Sequence, residues 1–279
     1  MKNNIILYNP AHNGDLFVSR SFVRDLSEKI KKQIIYLHKF NSNYLFNDID
    51  LREFQTNVFP TDLSGKIYCT WYAAKNNKYM NETGCTIQTL YKLFTDVYLD
   101  LDLKLNTIED YIPSFNFEKY GLPKNTRKSN SILVCTNQPL SGQSNTLDMG
   151  NLVNNLSKKF PNKNFYITNK LESLENRSNI ILTQDLLKNN NLIELSWFST
   201  QCSSIIGRSS GPYTFSLINK NLEDNVNFFE ILYTHPEGNF NQFNFGLQHL
   251  GYNKNFVNIC ARNSEEKIFE IILNNNDRL

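Results

Sequence analysis

Two short loops hold the residues best suited to chemistry. The first, Pro10-Ala11-His12-Asn13-Gly14-Asp15, follows an apolar run and opens a helical pattern. Gly14 would permit a tight turn there, and Asp15 would project from a helix N-terminus. A carboxylate in that place is a good cap, worth about 1 kcal/mol. It is equally what a single-displacement transfer reaction needs as general base. The second loop lies in Ile205-Ile206-Gly207-Arg208-Ser209-Ser210-Gly211-Pro212-Tyr213-Thr214-Phe215. Here an apolar strand-like run meets a hydroxyl-rich turn, with Pro212 where a helix would begin. Gly207 and Gly211 would let the backbone approach a ligand, and the new helix would aim free N–H groups at it. Arg208 adds a cation able to grip phosphate with two prongs. Together they make a seat for a phosphate or diphosphate, although a ligand-free strand-to-helix turn would use the same residues.

Other candidates point to less. Asp100-Leu101-Asp102 has the Asp-x-Asp form of a metal site, but Leu99, Leu101, Leu103 and Leu105 alternate with it as on a half-exposed element. His12 could hydrogen-bond an acceptor or a diphosphate. His235-Pro236-Glu237-Gly238 reads as a turn beside a late strand that could meet a base or ribose, whereas His38 and His249 read as packing or surface residues. No Gly-x-x-x-x-Gly-Lys-Ser/Thr loop and no Gly-x-Gly-x-x-Gly after the first strand occurs. These absences disfavour a P-loop nucleotidase and an NAD enzyme.

The elements that must position both loops alternate. Apolar runs at residues 4–9, 33–37 and 66–72 predict strands, and spacings of three and four predict helices from Asp15 and over 86–98. Leu16, Phe17, Phe22, Val23, Leu26 and Ile30 form the stripe of the first helix. Periodicity fades from Pro113 to Asn130, which reads as a linker. A second series follows, with strands at 131–135, 164–168, 179–183, 203–206, 228–232 and 256–260 and helices at 150–160, 192–199 and 265–273. The Asn-rich runs 189–191 and 274–276 read as loop filler. Alternation of this kind predicts an α/β protein of two Rossmann-like domains, 1–125 and 126–279, with parallel sheets facing a cleft. Ligands of such sheets bind outside the carboxyl ends of the strands, where both loops fall.

Bulk properties narrow the class. With 40% hydrophobic and 13% aromatic residues, the chain can build real cores. A net charge of +2, with both signs spread throughout, argues against a nucleic-acid partner. No apolar run reaches the length of a membrane span and no signal peptide opens the chain, which leaves only peripheral membrane association. Cys69, Cys85, Cys135, Cys202 and Cys260 are scattered and odd in number, as expected of reduced thiols in a cytoplasmic protein.

The run Asn13-Gly14-Asp15-Leu16-Phe17-Val18-Ser19-Arg20-Ser21-Phe22-Val23-Arg24-Asp25-Leu26 resembles the Gly-Asp loop and first helix of the heptosyltransferase-like GT-B glycosyltransferases (glycosyltransferase family 9 and its relatives). The resemblance is specific only in two short loops. It implies a GT-B-like fold, with Asp15 as catalytic base and the nucleotide-sugar held mainly by the C-terminal domain. The family's Asp-Ser/Thr-Gly-x-x-His loop finds its counterpart in Ser209-Ser210-Gly211-Pro212-Tyr213-Thr214, where Ser209 replaces Asp and Thr214 replaces His. The basic residue usual after the first strand of that domain is missing from residues 137–144, so Arg208 is expected to supply the charge. The expected donor contacts are thus Ser209, Ser210, Gly211, Thr214, Asn137 and Ser141, with Arg208 added on its charge alone, and His12, Asn13 and Gly14 are expected on the acceptor side. The expected activity is metal-independent, inverting transfer of a hexosyl or heptosyl group from a nucleotide-diphosphate donor to a glycan or other hydroxyl acceptor, with no cofactor. Two alternatives stay open: a non-hydrolysing nucleotide-sugar epimerase, and a non-catalytic binding or interaction protein of the same fold.

Overall fold

The computed structural model describes residues 4–30, 34–38, 42–55, 65–71, 79, 83, 85–124, 126–137, 147–208, 210–232, 246–260 and 263–279. The chain divides into two compact units, Met1–Gly121 with Gln242–Leu250, and Leu122–Asn241 with Gly251–Leu279.

In the first unit, the short apolar runs form β1 (Asn4–Asn9), β2 (Ile34–His38), β3 (Leu51–Gln55) and β4 (Gly65–Cys69). They pair in the order β3-β2-β1-β4, all parallel. β3 escapes a reading by apolar runs because LREFQ is mostly polar. Helix α1 (Asn13–Ile30) buries Leu16, Phe17, Phe22, Val23 and Leu26, as its spacing predicts. It also buries Ser19, Arg20 and Ser21. Arg20 is only 1% exposed and pairs with Asp48 at 2.5 Å, while its guanidinium stacks 3.9 Å from the Phe115 ring centroid. Helix α2 (Thr86–Asp100) buries Ile87, Leu90, Phe94 and Val97.

Residues 113–121 of the expected linker belong to this unit. Just before them, Tyr111 stacks on Phe22 with ring centroids 4.1 Å apart. Asp48 accepts hydrogen bonds from the Asn116 N–H at 2.9 Å and the Tyr120 hydroxyl at 2.8 Å. Residues 113–120 show no period because scattered contacts, not a repeating face, hold them.

In the second unit, β5 (Lys128–Cys135), β6 (Asn164–Ile167), β7 (Ile180–Leu182), β8 (Cys202–Arg208), β9 (Asn227–Leu232) and β10 (Phe256–Cys260) form a six-stranded sheet. Its order is β10-β9-β8-β5-β6-β7, again all parallel. Counted within the unit and from the other edge, this is the 3-2-1-4-5-6 order of a Rossmann sheet. Helices α3 (Met149–Lys159), α4 (Leu192–Ser199), α5 (Gly211–Ser216), α6 (Asn219–Glu223) and α7 (Glu265–Leu273) complete it. Ile132, Val134, Leu152, Leu156, Phe165, Ile206, Phe229, Ile268 and Ile272 meet in one core between the sheet, α3 and α7.

The run Asn189-Asn190-Asn191 is more than filler. Asn190 takes a left-handed φ of 49°, which Asn tolerates better than most residues. The Glu194 carboxylate accepts from the Asn189 and Asn190 N–H groups at 2.8 and 2.7 Å, and Asn191 caps α4 by accepting from the Glu194 N–H at 3.0 Å. Among the described residues, no helix is long and apolar enough to cross a membrane.

Candidate functional site

In each unit the strand order reverses beside its first strand, between β1 and β4 and between β5 and β8. The loops leaving those strands at their carboxyl ends are where such sheets hold ligands. Both loops singled out in the sequence leave these strands.

In the first unit, Asn9 is buried and its Oδ1 accepts the Ala11 N–H at 3.0 Å, folding the chain back after β1. The His12 carbonyl accepts from the N–H groups of Asp15 and Leu16 at 2.9 and 3.1 Å, starting α1. Asp15 Oδ2 in turn accepts the His12 N–H at 3.2 Å, the reach-back half of a capping box. Gly14 therefore does not make a tight turn. It sits inside the first turn of α1, and the only described glycines at positive φ are Gly121 and Gly251. Asn13 accepts a hydrogen bond from the Ser42 hydroxyl. His12 is exposed.

Asp15 is half-buried, and burial raises its carboxyl above the ordinary carboxylate value. The His12 N–H, the His12 charge and a hydrogen bond from the Trp71 side chain oppose that rise without cancelling it. A carboxylate offers about four lone-pair sites. Capping and a general-base role can therefore coexist on this residue. Trp71 went unnoticed in the sequence because it stands alone after an edge strand with no motif around it.

In the second unit, β8 runs through Arg208, Ser210 is the N-cap of α5, and Pro212 lies in its first turn. The Ser210 hydroxyl is buried and has no hydrogen-bond partner among the described residues. Gly211 is exposed and Thr214 is half-buried. Ser209, Ser141 and the His235–Gly238 turn lie outside the described residues. Gly207 answers to packing rather than to a ligand. A Cβ there would stand 2.7 Å from Cys135 Cβ and 3.0 Å from Tyr213 Cδ2.

Arg208 is placed differently from a solvent-facing clamp. It is 2% exposed, and its Nη2 donates to the Thr136 carbonyl at 3.0 Å across the strand reversal. Burial lowers its pKa below the usual guanidinium value. Thr136 is the centre of a further set of bonds. Its N–H donates to Thr168 Oγ1 at 3.0 Å, and its hydroxyl donates to the Asn169 carbonyl at 2.8 Å. The Thr168 hydroxyl donates to Asn137 Oδ1 at 2.6 Å, which fixes that side chain. The only sequence signal for this pair is a Thr directly after each of two neighbouring apolar strands.

The remaining candidates fall elsewhere. Asp100 ends α2 and pairs with Lys66 at 2.5 Å, while Asp102 lies at a left-handed φ of 54°. His38 is fully buried at the end of β2 and His249 is exposed. The five cysteines are free thiols. Among the described residues, no three His, Cys, Asp or Glu side chains gather as a metal-ligand set.

No protein-family model and no curated protein sequence matches the chain. Solved structures do. The heptosyltransferase WaaC of E. coli, with ADP-2-deoxy-2-fluoro heptose, is similar with a TM-score of 0.58 and 7% identity, over 98% of this chain and 99% of that one. A family 9 glycosyl transferase from Veillonella parvula DSM 2008 matches with a TM-score of 0.52 and 10% identity, over 98% and 97%. The iron-containing dodecameric glycosyltransferase TibC of E. coli matches with a TM-score of 0.50 and 10% identity, over 82% of this chain. The chain spans only 57% of the length of TibC. At such identities the likeness is one of fold: this chain has the α/β, GT-B-like fold of the heptosyltransferase-like glycosyltransferases.

Proposed function

We propose that the chain is an inverting, metal-independent glycosyltransferase that moves a sugar from a nucleotide-diphosphate donor to a hydroxyl on a glycan or similar acceptor. The observation that carries this reading is Asp15, a half-buried carboxylate whose basicity burial raises, at the strand reversal of the first unit. Its setting is a fold shared with enzymes that use nucleotide-sugars. Asp15 takes the acceptor's proton as the acceptor oxygen attacks the anomeric carbon, and the bond to the diphosphate breaks on the opposite face. One displacement inverts that carbon. His12, Asn13 and Gly14 line the acceptor side.

On the donor side, Ser210, Gly211 and Thr214 meet the diphosphate, and Asn137, Ser141 and Ser209 are the further donor contacts of this reading. The buried Ser210 hydroxyl supports this, because a buried polar group without a partner is costly and a phosphate oxygen would satisfy it. Arg208 acts from beneath the loop as a fixed positive charge. In a water-poor site such a charge, with backbone N–H groups, offsets the growing charge of the leaving diphosphate and replaces a divalent ion. The protein would work in the cytoplasm or peripherally at a membrane.

The test is to incubate the purified protein with a panel of nucleotide-sugars, with and without hydroxyl acceptors and with EDTA, following products by proton NMR. Acceptor-dependent release of nucleoside diphosphate, an inverted anomeric carbon and insensitivity to EDTA are expected. Epimer formed without acceptor would make the chain an epimerase. The replacements Ser209 for Asp and Thr214 for His favour a second, non-catalytic reading, which donor binding without any turnover would establish.

A further inference from the structure

Asn137 leaves β5 one residue after Thr136, and its amide can be turned two ways, with oxygen or nitrogen inward. Thr168, directly after β6, decides between them. Its hydroxyl has one proton and two lone pairs. One lone pair accepts the Thr136 N–H at 3.0 Å, and the proton goes to Asn137 Oδ1 at 2.6 Å. With the amide reversed, that proton would lose its acceptor. Thr136 and Thr168 are 1% and 3% exposed, so bulk water does not replace it, and a buried donor left unpaired is costly. The frame around this hydroxyl is firm. Thr136 Oγ1 donates to the Asn169 carbonyl at 2.8 Å and accepts the Asn169 N–H at 3.1 Å, while the Thr168 N–H donates to the Val134 carbonyl at 3.1 Å. The Asn137 oxygen is thereby turned inward. Its Nδ2 has no hydrogen-bond partner among the described residues, and the residue is half-buried.

A second free polar group lies across the strand reversal. β5 and β8 pair with Cys135 opposite Gly207, so Thr136 and Arg208 leave the sheet side by side, and Arg208 Nη2 donates to the Thr136 carbonyl at 3.0 Å. Ser210 follows, its N–H donating to the Arg208 carbonyl at 2.6 Å, and its buried hydroxyl has no partner among the described residues. Each exit from the reversal thus offers one free donor, and a guanidinium is bonded to the β5 exit. An anionic oxygen is the ligand that accepts from an amide N–H and a hydroxyl together. We propose that Asn137 Nδ2 donates to the diphosphate of the nucleotide-sugar, and that Thr168 is the positioning residue that turns the amide so that its N–H groups, not its oxygen, face that anion. The inference rests on the function proposed above, and it adds the atom of Asn137 that meets the ligand and the side chain that sets it. Turned the other way, the same amide would present its oxygen and repel a phosphate oxygen.

The test uses the whole chain carrying Thr168→Val, Thr168→Ser or Asn137→Asp. Two quantities are measured. One is the carbon-13 shift of the Asn137 side-chain carbonyl, assigned by its disappearance in Asn137→Asp. The other is calorimetric affinity for ADP, UDP, GDP and CDP beside the matching nucleosides. Thr168→Val deletes the hydroxyl and keeps the shape. The Asn137 carbonyl should move upfield as it loses its hydrogen bond, nucleoside diphosphate affinity should fall about tenfold, and nucleoside affinity should hold. Thr168→Ser keeps the hydroxyl and should restore both readings. Asn137→Asp still accepts from Thr168 but offers no N–H and adds a negative charge. Its nucleoside diphosphate affinity should fall about 30-fold or more, with the melting temperature little changed. An Asn137 carbonyl shift unmoved in folded Thr168→Val would overturn the positioning role. Asn137→Asp binding nucleoside diphosphates as well as wild type would overturn the donor role, whether or not Thr168→Val folds, and so would a wild type that binds none of the four. Neither readout needs turnover, so binding without sugar transfer would refute the transferase and leave this inference standing.

Discussion

At Asp15, burial raises the carboxyl while the His12 N–H, the His12 charge and Trp71 pull it down, and burial prevails. The folded pKa therefore exceeds the unfolded one. The stability tied to this group is fully present below the unfolded pKa and is lost as pH rises through the folded value. Asp15→Asn keeps an oxygen for the His12 N–H and never ionises, so it should be more stable than wild type at neutral pH. The gap should close near about pH 3.5, where both side chains are neutral. Urea denaturation at the two pH values checks this, and a gap that stays constant or reverses would contradict it. Arg208 offers a different residue-scale test, because it is buried against the Thr136 carbonyl. If it also serves the donor diphosphate, Arg208→Ala should weaken nucleoside diphosphate binding by about 1.5–3 kcal/mol and leave the nucleoside nearly unaffected. Calorimetric titration decides the point. Equal loss for both ligands, with a lower melting temperature, would make Arg208 purely structural.

Among the elements, Asp48 ties together α1, the turn that carries it and the segment at 112–121. It pairs with Arg20 at 2.5 Å and Arg24 at 3.6 Å, and its backbone carbonyl accepts from Lys119 Nζ at 3.0 Å. Removing one partner of a buried ion pair leaves an uncompensated charge, so Asp48→Asn should cost about 3–5 kcal/mol in chemical denaturation. A loss below about 1 kcal/mol would show that Arg20 finds another partner. Sequence periodicity could not reveal this arrangement. It marks the apolar stripe of α1 well, because Leu16, Phe22, Val23 and Leu26 repeat at helical spacing, but a buried Arg between them looks like a solvent-facing residue. Residues 113–120, inside the segment read as a linker, escaped for the same reason: Phe115 is placed by Arg20 and Phe17, and Tyr120 by Leu45 and Asp48. The Asn run before α4 failed similarly, since its order comes from Glu194, several residues further on.

For the whole molecule, the alternation of apolar runs and helical stripes made both parallel sheets legible apart from β3, whose residues are mostly polar. Both loops that looked chemical do leave strands at a reversal of strand order. The partners of those loops were not all legible, because Thr136 and Thr168 become neighbours only through the pairing of β5 with β6. Gly207 misled for a related reason: the close approach it allows is to Cys135 on the paired strand. A fold of this kind serves catalysis or binding alone, and the proposed catalysis depends on one carboxylate. The most direct measurement is acceptor-dependent donor turnover by Asp15→Asn beside wild type, with both proteins shown to be folded and to bind nucleoside diphosphate equally. The account predicts a loss of about 100-fold or more, the span of general-base catalysis. Turnover within a few-fold of wild type would contradict it.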